Sequence, residues 1–274
     1  MRAATGPVEL GGDQVEGHHA VHELLATGKR RVRALWVAQG VAGHDPVLGI
    51  VALARRSQVP VQFKSAEAVA AAARTSAPQG VVAWAQPVVA VPLAELLVGG
   101  TALLGSAAGG PPPFLVVLDG VTDPGNFGSL LRSAACAGAT GVVIARHRSA
   151  PLTPAALKSA AGAVEKLPIA VAAGVPAALQ QLGKAGVWTI GLDPDGPVDL
   201  WQTPLLEGPV ALVLGSEGGG LSRLVGERCD VLARIPQSGA LGSLNVAAAG
   251  AVACFEVARR RAVTRNAASG ATEP

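Results

Sequence analysis

Residues 115–132 read Leu-Val-Val-Leu-Asp-Gly-Val-Thr-Asp-Pro-Gly-Asn-Phe-Gly-Ser-Leu-Leu-Arg. The apolar run at the start predicts a buried strand, the Asp-Pro-Gly-Asn sequence predicts a tight turn, and the periodic apolar residues from Leu130 onward predict a helix. Asn126 and Arg132 would therefore lie where a strand crosses into a helix. In parallel α/β sheets, ligands bind at that place, outside the carboxyl ends of the strands.

Two later stretches also place polar residues at the boundary of an element. Residues 214–221 read Leu-Gly-Ser-Glu-Gly-Gly-Gly-Leu after a predicted strand, and residues 243–246 read Ser-Leu-Asn-Val before a predicted helix. The glycine spacing differs from the dinucleotide-binding fingerprint, so the glycines alone indicate only a turn that needs positive φ. Glu217, however, lies between glycines just after a strand, which would expose its carboxylate.

Each of these polar residues has a simpler explanation when it is taken alone. Asn126 could be a turn residue, and Ser243 could be the N-cap of the last helix. Arg132 and Glu217 could be solvated surface charges. A functional site is favoured because all four fall at strand ends or helix starts of one predicted domain.

The composition indicates a globular protein without a membrane segment. The chain has 274 residues, of which 50% are hydrophobic, and this is enough for a substantial core. No apolar window reaches the roughly 18 residues that a membrane span needs. The chain also does not open with a charged-then-apolar signal pattern. We therefore expect a cytoplasmic protein.

The three cysteines lie far apart in the sequence, at Cys136, Cys229 and Cys254. They form no C-x-x-C motif, and no histidine lies at the spacing of a metal ligand. An odd number of cysteines in apolar surroundings predicts buried, reduced thiols and argues against both a disulfide framework and a metal site.

The net charge of +3 is unevenly distributed along the chain. Residues 1–90 contain nine lysines and arginines against six acids, whereas residues 91–274 contain thirteen of each. Four of the nine cations form a cluster: Lys29, Arg30, Arg31 and Arg33. The cluster favours contact with a polyanion, although four bases in one loop are also compatible with a plain solvated surface.

Strands and helices alternate in two blocks, which predicts two α/β domains. The first domain covers residues 1–90 and should contain a small, mainly parallel sheet. Residues 91–113 are rich in glycine and end in three prolines, so they predict a linker. The second domain covers residues 114–262 and ends in a helix over residues 244–261. Residues 263–274 are predicted to be a flexible tail.

The polar stretches together resemble a known family. Residues 119–134, 214–221 and 235–246 look like the three motifs of the SpoU branch of the SPOUT RNA methyltransferases, in the order and spacing of that family. The N-terminal part, from residues 15–21 to residues 79–83, resembles the substrate-binding domain of the 23S ribosomal RNA guanosine-2′-O-methyltransferases in that branch. The resemblance therefore covers nearly all of the chain.

The resemblance implies an α/β fold with a small, ribosomal-protein-like N-terminal domain. The catalytic domain would contain a deep trefoil knot, which is an exception to the rule that chains do not thread loops. The resemblance also implies a homodimer whose active site takes residues from both subunits. The cofactor would be S-adenosylmethionine, bound in the knot without a metal. By motif position, its binding residues would be Gly191, Leu214, Gly215, Gly218, Ile235 and Leu244.

The same motifs imply a catalytic set that consists of Asn126, Arg132, Glu217, Ser243 and Asn245. Arg132 is the family's proposed activator of the ribose 2′-hydroxyl that attacks the methyl group. Because a guanidinium has a pKa above about 12, we prefer a role in which Arg132 binds the adjacent RNA phosphate and stabilises the developing alkoxide. Asn126 would hold Arg132 or the ribose, and Glu217 would orient a base or an arginine. Ser243 and Asn245 would join the last helix to the cofactor and the substrate.

The sequence also departs from the family pattern. Residues 246–250 read Val-Ala-Ala-Ala-Gly where relatives often carry a serine, so fewer hydrogen bonds are available there. The chain has no tyrosine, four phenylalanines and four tryptophans, which limits stacking on unpaired bases. Trp36 and Trp84 fall in predicted strands and are expected to belong to the core.

These observations predict an S-adenosylmethionine-dependent RNA methyltransferase that modifies a ribose 2′-hydroxyl of ribosomal RNA, with a guanosine of 23S ribosomal RNA as the favoured target. Other ribosomal RNA sites remain open, and transfer RNA is an alternative substrate. A further alternative is a catalytically silent RNA-binding or ribosome assembly factor that keeps the fold. The N-terminal domain favours ribosomal over transfer RNA, and the intact set of polar residues disfavours a silent factor.

Overall fold

The structure of the protein is a computed structural model, which describes residues 7–97, 111–239 and 242–270. Two predicted features lie partly outside these ranges. Residues 98–110 of the predicted linker are not among the described residues, and neither are the last four residues of the predicted tail.

The chain divides into two compact units. The first unit consists of Met1–Ala90, Asp123–Arg132 and Ala150–Lys166, and the second unit consists of the remaining residues. The sequence predicted a first domain that ends at residue 90. The unit built around that domain also includes two segments from the later part of the chain, which no local sequence pattern indicates.

Strands and helices alternate through the described residues. The strands are β1 (Gln14–Glu16), β2 (Val32–Ala38), β3 (Val61–Lys64), β4 (Val81–Ala85), β5 (Phe114–Leu118), β6 (Gly141–Ala145), β7 (Ile169–Ala172), β8 (Trp188–Leu192), β9 (Val198–Asp199), β10 (Val210–Leu214) and β11 (Val231–Arg234). The α-helices are α1 (His18–Thr27), α2 (Asp45–Arg56), α3 (Ala66–Ala72), α4 (Leu93–Leu97), α5 (Pro124–Cys136), α6 (Pro154–Ala160), α7 (Val175–Lys184), α8 (Arg223–Gly226) and α9 (Val246–Gly270). Short 3-10 helices cover Gln39–Val41, Ala163–Glu165, Leu200–Gln202 and Pro204–Leu206.

The sheet of the first unit has the strand order β1-β4-β2-β3. β2 and β3 are parallel, whereas β4 is antiparallel to both β1 and β2. The prediction of a mainly parallel sheet was therefore wrong. β1 has only three residues, Gln-Val-Glu, which is too short to show a strand period. An apolar pattern also identifies a strand without giving its direction.

The sheet of the second unit is parallel throughout, with the order β7-β6-β5-β10-β8-β11-β9. The alternation of strands and helices that the sequence predicted for this unit is confirmed. Parallel strands covered on both faces are apolar along their whole length, and all five residues of both β5 and β10 are buried. β10 lies between β5 and β8, so strands that are distant in sequence become neighbours.

The last helix, α9, is longer than predicted. It was expected to end at residue 261, where three arginines follow one another, but it continues to Gly270. Residues 262–269 contain neither proline nor glycine and include three alanines, and the first glycine after Arg261 is Gly270. Basic residues are compatible with a helix end but do not stop a helix. Part of the predicted flexible tail is therefore helical.

Arg261 anchors α9 to the rest of the second unit. Its guanidinium donates hydrogen bonds to the backbone carbonyls of Pro112 (2.8 Å) and Pro113 (2.9 Å), just before β5. It also donates to the carbonyl of Gly208 (2.6 Å), before β10, and lies 5.4 Å from the centre of the Phe114 ring. Burial lowers the pKa of Arg261 to about 10. Backbone carbonyls thus serve as the partners of this half-buried cation.

The cysteines differ in their exposure. Cys254 is buried and Cys229 is half-buried, and burial raises the pKa of each thiol to about 12. Cys136 is exposed, so the prediction of three buried thiols was wrong for this residue. Cys136 is the last residue of α5, and its position at the helix end leaves it outside the apolar core.

Two kinds of feature are absent from the part of the chain that the structure describes. None of its helices combines the length and the apolar character that crossing a membrane requires. It also contains no group of three or more histidine, cysteine, aspartate or glutamate side chains that could hold a metal ion.

Replacing Arg261 should destabilise the protein, because the half-buried carbonyls of Pro112 and Gly208 would lose this donor. We expect Arg261→Ala to lower the free energy of unfolding by about 3 kcal/mol, the upper end of the cost of leaving a buried polar group unsatisfied. Urea denaturation followed by circular dichroism measures this change. Arg223→Ala is the control, since Arg223 is 85% exposed in an ion pair with Glu227 and should cost at most about 0.5 kcal/mol. Equal losses in the two variants would contradict the anchoring role.

Candidate functional site

The carboxyl ends of β5 and β10 lie side by side, because the two strands are parallel and Leu118 is aligned with Leu214. The residue after β5 continues the pairing, since the Asp119 N–H donates to the Leu214 carbonyl at 2.8 Å. The Asp119 side chain is buried, and its Oδ2 accepts a hydrogen bond from the Ser222 N–H at 2.8 Å. Asp119 thereby fastens the far end of the glycine-rich stretch, residues 214–221, to the end of β5.

The glycine-rich stretch forms a closed turn. Ser216 and Gly220 exchange two backbone hydrogen bonds of 2.9 and 3.0 Å. Gly218 and Gly220 have φ values of 72° and 60°, which favour glycine. Gly215 is required for a different reason, since a Cβ there would lie 2.0 Å from the carbonyl carbon of Gly220. The turn presents Glu217 in an exposed position.

A cavity of about 430 Å³ opens beside this turn. Its walls come from the ends of β8, β10 and β11 and from the start of α9. Apolar side chains form much of the lining, and polar groups are interspersed among them. Residues that represent both kinds are Leu192, Asp193, Leu214, Ile235, Gln237 and Leu244. This combination is typical of a small-molecule site.

Asn245 connects α9 to the glycine-rich turn. Its Oδ1 accepts hydrogen bonds from the N–H groups of Ala247 (2.9 Å) and Ala248 (3.2 Å), which makes Asn245 the N-cap of α9. Because the oxygen faces these donors, the amide nitrogen faces the other way, and it donates to Glu217 Oε1 at 2.8 Å. One side chain therefore starts the helix and holds the carboxylate.

Two family models match the chain. Residues 113–255 match the SpoU rRNA Methylase family, and residues 14–88 match a model described as RNA 2′-O ribose methyltransferase substrate binding. The chain belongs to the SpoU rRNA methylase family.

One curated relative and two solved structures align with most of this SpoU family chain. A 23S rRNA (guanosine-2′-O-)-methyltransferase of Pseudomonas syringae pv. tomato is 39% identical over 254 residues, which are 92% of this chain and 98% of that protein. An AdoMet-bound rRNA methyltransferase of Sinorhizobium meliloti is 26% identical, with a TM-score of 0.71 over 90% of this chain and 86% of that chain. The SpoU methyltransferase AviRb of Streptomyces viridochromogenes is 24% identical and shares the fold, with a TM-score of 0.74 over 93% and 91% of the two chains.

The resemblance to the SpoU family implied six cofactor-binding positions. Five of them line the cavity, namely Leu214, Gly215, Gly218, Ile235 and Leu244. Gly191 does not line it, because it is buried in β8, where a Cβ would lie 2.7 Å from the Leu232 side chain and 2.8 Å from that of Leu221. The next residue, Leu192, lines the cavity instead.

The predicted catalytic residues of this SpoU protein fall into two groups. Glu217, Ser243 and Asn245 line the cavity. Asn126 and Arg132 lie on α5 and are not among the lining residues. The Asn126 N–H donates to Asp123 Oδ1 at 2.7 Å, in the first turn of α5, and Arg132 is exposed six residues further along that helix.

Sequence reasoning missed three polar residues at this site: Asp119, Asp193 and Gln237. For two of them a signal was available, since Asp119 directly follows the apolar run of β5 and Asp193 directly follows β8. A polar residue at the carboxyl end of a parallel strand is a candidate ligand contact. Gln237 lies in an irregular segment after β11, where no pattern marks it.

The basic cluster of the first unit separates into exposed and internal cations. Lys29, Arg31 and Arg33 are exposed, and the two arginines border a cavity of about 450 Å³. Arg30 differs from the other three cations of the cluster, because its guanidinium pairs with the carboxylate of buried Glu165 and donates to two backbone carbonyls. The sequence could not show this use of Arg30, since Glu165 lies far along the chain.

Trp36 and Trp84 pack edge to face, with ring centres 5.1 Å apart. Both rings are half-buried against a small cluster that includes Val69 and Val82, and the Lys64 ammonium lies 4.9 Å from the centre of the Trp36 ring. The expected position in the core is therefore confirmed in part, since each ring packs on the core and keeps some exposed surface.

Variants of Asn245 can separate its two contacts. Asn245→Ser keeps an oxygen that caps a helix but removes the amide that holds Glu217, whereas Asn245→Ala removes both. We expect Asn245→Ala to lose about 1 kcal/mol of unfolding free energy and Asn245→Ser to lose little. Methyl transfer to RNA should fall roughly tenfold or more in both variants, because the carboxylate is no longer positioned.

Urea denaturation and incorporation of labelled methyl groups into RNA measure the two effects of the Asn245 variants. The serine variant tests the hydrogen bond to Glu217 by itself, because its stability should be close to that of the native protein. Full activity in Asn245→Ser would show that the hydrogen bond to Glu217 does not contribute to the reaction.

Proposed function

We propose that the protein transfers a methyl group from S-adenosylmethionine to a ribose 2′-hydroxyl of 23S ribosomal RNA, with a guanosine as the target. The observation that carries this proposal is the extent of the match to a 23S rRNA (guanosine-2′-O-)-methyltransferase, which covers 92% of this chain. The match includes both the substrate-binding and the methylase regions. A relative that shared only the methylase region would support the methyl-transfer reaction but would not indicate which RNA is the substrate.

The cavity suits S-adenosylmethionine in size and character. Its volume of about 430 Å³ lies within the ~300–1,000 Å³ that is usual for small-molecule sites. Leu192, Leu214 and Ile235 offer apolar surface to an adenine ring, and the glycines of the turn leave backbone groups accessible because no side chain covers them. When bound, the cofactor supplies an electrophilic methyl group on a sulfonium.

The side chains of the protein would orient the ribose and stabilise charge. The 2′-hydroxyl oxygen would form a bond to the methyl carbon while the bond from that carbon to sulfur breaks, which leaves S-adenosylhomocysteine. The hydroxyl proton would pass to solvent water, so negative charge develops on the attacking oxygen. A guanidinium stays protonated at neutral pH, which suits Arg132 to binding the neighbouring phosphate and stabilising the alkoxide. Asn126 would orient Arg132 or the ribose, and correct orientation would supply much of the rate.

Glu217, Ser243 and Asn245 would act from the cavity. Asn245 holds the Glu217 carboxylate at 2.8 Å, so this acid has a defined position from which to orient a base or an arginine. Ser243 provides a hydroxyl at the start of α9. A carboxylate fixed in advance loses less entropy on binding, which favours this arrangement for catalysis.

The first unit would bind the RNA. It contains the region that matches the substrate-binding model, and Lys29, Arg31 and Arg33 place three exposed cations on its surface. Exposed cations bind RNA backbones through their phosphates. Transfer RNA is the alternative substrate, but the match of residues 14–88 favours ribosomal RNA, because the relative that shares the whole arrangement is named for 23S rRNA.

A catalytically silent assembly factor is the alternative from another class. The placement of Glu217, Ser243 and Asn245 around one cavity disfavours it. A binding protein that had lost its reaction would have no need for a positioned carboxylate beside a small-molecule cavity.

A homodimer is supported by one face of α9. Val252, Phe255 and Val263 are 38%, 51% and 57% exposed, and they lie within about 80° of one another at 100° per residue. Large apolar side chains grouped on one exposed helix face favour a partner surface. Because the family resemblance implies a homodimer, a second copy of this chain is the proposed partner.

Two more properties accompany the proposal. The backbone around the cavity would form the deep trefoil knot that the family resemblance implies. An enzyme that modifies ribosomal RNA would work in the cytoplasm, where the RNA is found.

The proposed reaction can be tested with labelled S-adenosylmethionine and transcripts of 23S ribosomal RNA and of transfer RNA. We expect methyl incorporation into the 23S transcript, and nuclease digestion with mass spectrometry should identify 2′-O-methylguanosine. Arg132→Ala should lose roughly a hundredfold in rate, since one donor to a developing oxyanion is worth about that factor. Near-normal transfer by Arg132→Ala would contradict its central role.

The other outcomes of this assay separate the alternatives. Incorporation into transfer RNA alone would change the substrate and keep the chemistry. Binding of the 23S transcript without incorporation into either RNA would favour the silent factor. Lys184→Ala is the control for a lost surface charge, because Lys184 is exposed at the end of α7.

The proposed dimer can be tested by charging its apolar face. We expect the protein to sediment as a dimer and Phe255→Glu to sediment as a monomer, because burying an unpaired carboxylate in an interface is costly. Leu48→Glu is the matched control, since Leu48 is 50% exposed on α2, in the other unit, and this variant should remain dimeric. A monomeric native protein, or a dimeric Phe255→Glu, would contradict the proposed interface.

A further inference from the structure

The loop after β6 carries a second group of cations at the edge of the sheet where β5 and β10 end. Residues 146–149 read Arg-His-Arg-Ser, and β6 is the parallel neighbour of β5. The Arg146 N–H donates to the Ala172 carbonyl at 2.8 Å, and the Ser149 hydroxyl donates to the Ala145 carbonyl at 2.8 Å. The loop is therefore fixed at both of its ends.

Arg148 has a backbone conformation that is uncommon for a residue with a side chain. Its φ is 63°, in the left-handed region that is unfavourable for residues other than glycine. Such strain persists only where the surrounding structure enforces it, and it is concentrated at functional sites. The strain alone does not assign a function to Arg148.

The Arg148 guanidinium lies against the turn that follows β5. A Cβ at Gly120 would be 3.4 Å from Arg148 Nη2 and 3.5 Å from the Cβ of Ser216. Gly120 also has a φ of 85°, which favours a glycine there. Because Ser216 lines the cavity, this contact places the Arg148 guanidinium beside the cavity wall.

No acid neutralises Arg148 within the ranges that the structure describes. Among those residues, its side chain has no hydrogen bond and no ion pair, and it is exposed. Other arginines of the protein are engaged, as Arg30 is with Glu165 and Arg261 is with backbone carbonyls. An exposed guanidinium that is oriented but not neutralised is suited to bind an oxyanion through two parallel hydrogen bonds.

We propose that Arg148 binds a backbone phosphate of the substrate RNA at the mouth of the cavity. The proposal rests on the function proposed above. Phosphate is favoured because Arg148 is exposed and does not line the cavity, so a macromolecule can reach it from solvent. The carboxylate of S-adenosylmethionine offers the same oxyanion chemistry, and the experiment is designed to distinguish the two.

The test compares Arg148→Gln with Lys184→Gln. Both variants remove one exposed charge from the second unit. Lys184 lies at the C-terminal end of α7, which leads into the start of β8, whereas Arg148 follows the carboxyl end of β6. Binding to a 23S ribosomal RNA transcript is measured over a series of salt concentrations, and binding of S-adenosylmethionine is measured by calorimetry. Thermal melts monitor the folding of each variant.

We expect Arg148→Gln to bind the transcript about tenfold more weakly and to reduce the slope of log Kd against log salt by about 0.7–0.9, the value for one lost phosphate contact. Its affinity for S-adenosylmethionine should not change. Arg148→Lys should recover part of the RNA affinity and the full salt slope, because it restores the charge without the bidentate geometry. Lys184→Gln should leave both affinities unchanged.

Two results would overturn the proposal. Weaker cofactor binding with an unchanged salt slope would assign Arg148 to the cofactor carboxylate, and no change in either affinity would leave Arg148 without a ligand role. If Arg148→Gln does not fold, Arg148→Met provides a second neutral side chain for the same measurement. The salt slope measures RNA binding and does not require methyl transfer. If the native protein binds RNA but transfers no methyl group, the proposed function fails, and the salt slope of Arg148→Gln still tests the proposed phosphate contact.

Discussion

The parallel, in-register pairing of β5 with β10 is the constraint on which the site depends. The pairing places Asp119, the residue after β5, beside Gly215, the residue after β10. Asp119 therefore lies next to the glycine-rich turn that begins at Gly215. The Asp119 carboxylate then accepts the Ser222 N–H and closes the turn from its far end. A buried carboxylate is costly unless it is hydrogen-bonded, and this bond offsets part of the cost while it fixes the position of Glu217.

A second constraint acts through α9. Asn245 begins the helix and also holds Glu217, while Arg261 fastens the same helix to the segments before β5 and β10. α9 is therefore tied at one end to the cavity and along its length to the sheet. If two copies pair through the exposed face that contains Phe255, the interface and the helix N-cap belong to one rigid element, so the interface would help to hold the cavity in shape.

Much of the second unit could be predicted from its sequence, because parallel strands buried on both faces appear as short apolar runs with clear ends. The place of a candidate site was predictable for a related reason, since polar residues at the ends of such strands converge on one edge of the sheet. The chemistry came from the resemblance of these stretches to the SpoU motifs. Gly191 shows the limit of this reasoning. A glycine after an apolar run can serve a ligand or can serve packing, and here the side chains of Leu221 and Leu232 occupy the space beside it.

The first unit was less predictable, because its features depend on contacts between distant parts of the chain. Strand direction in its sheet is set by the whole connection between α3 and β4, and the local pattern carries no information about it. The use of Arg30 depends on Glu165, which reaches this unit through a segment that follows β6 in the chain. Helix ends also depend on more than local charge, as the continuation of α9 beyond Arg261 shows.

The arginines of this protein illustrate why charge counted along a sequence overestimates the surface that is available to RNA. Arg30 is neutralised by a buried acid, and the guanidinium of Arg261 is occupied by hydrogen bonds to backbone carbonyls, so neither is available to contact a phosphate of a nucleic acid. Arg31 and Arg148 are exposed and can do so. The residue type is the same in all four cases, and the partner, which the fold supplies from far along the chain, separates a structural role from the RNA-binding role proposed for Arg31 and Arg148. RNA affinity in this family member should therefore follow the cations that folding leaves unneutralised, and the total charge is a poor guide to it.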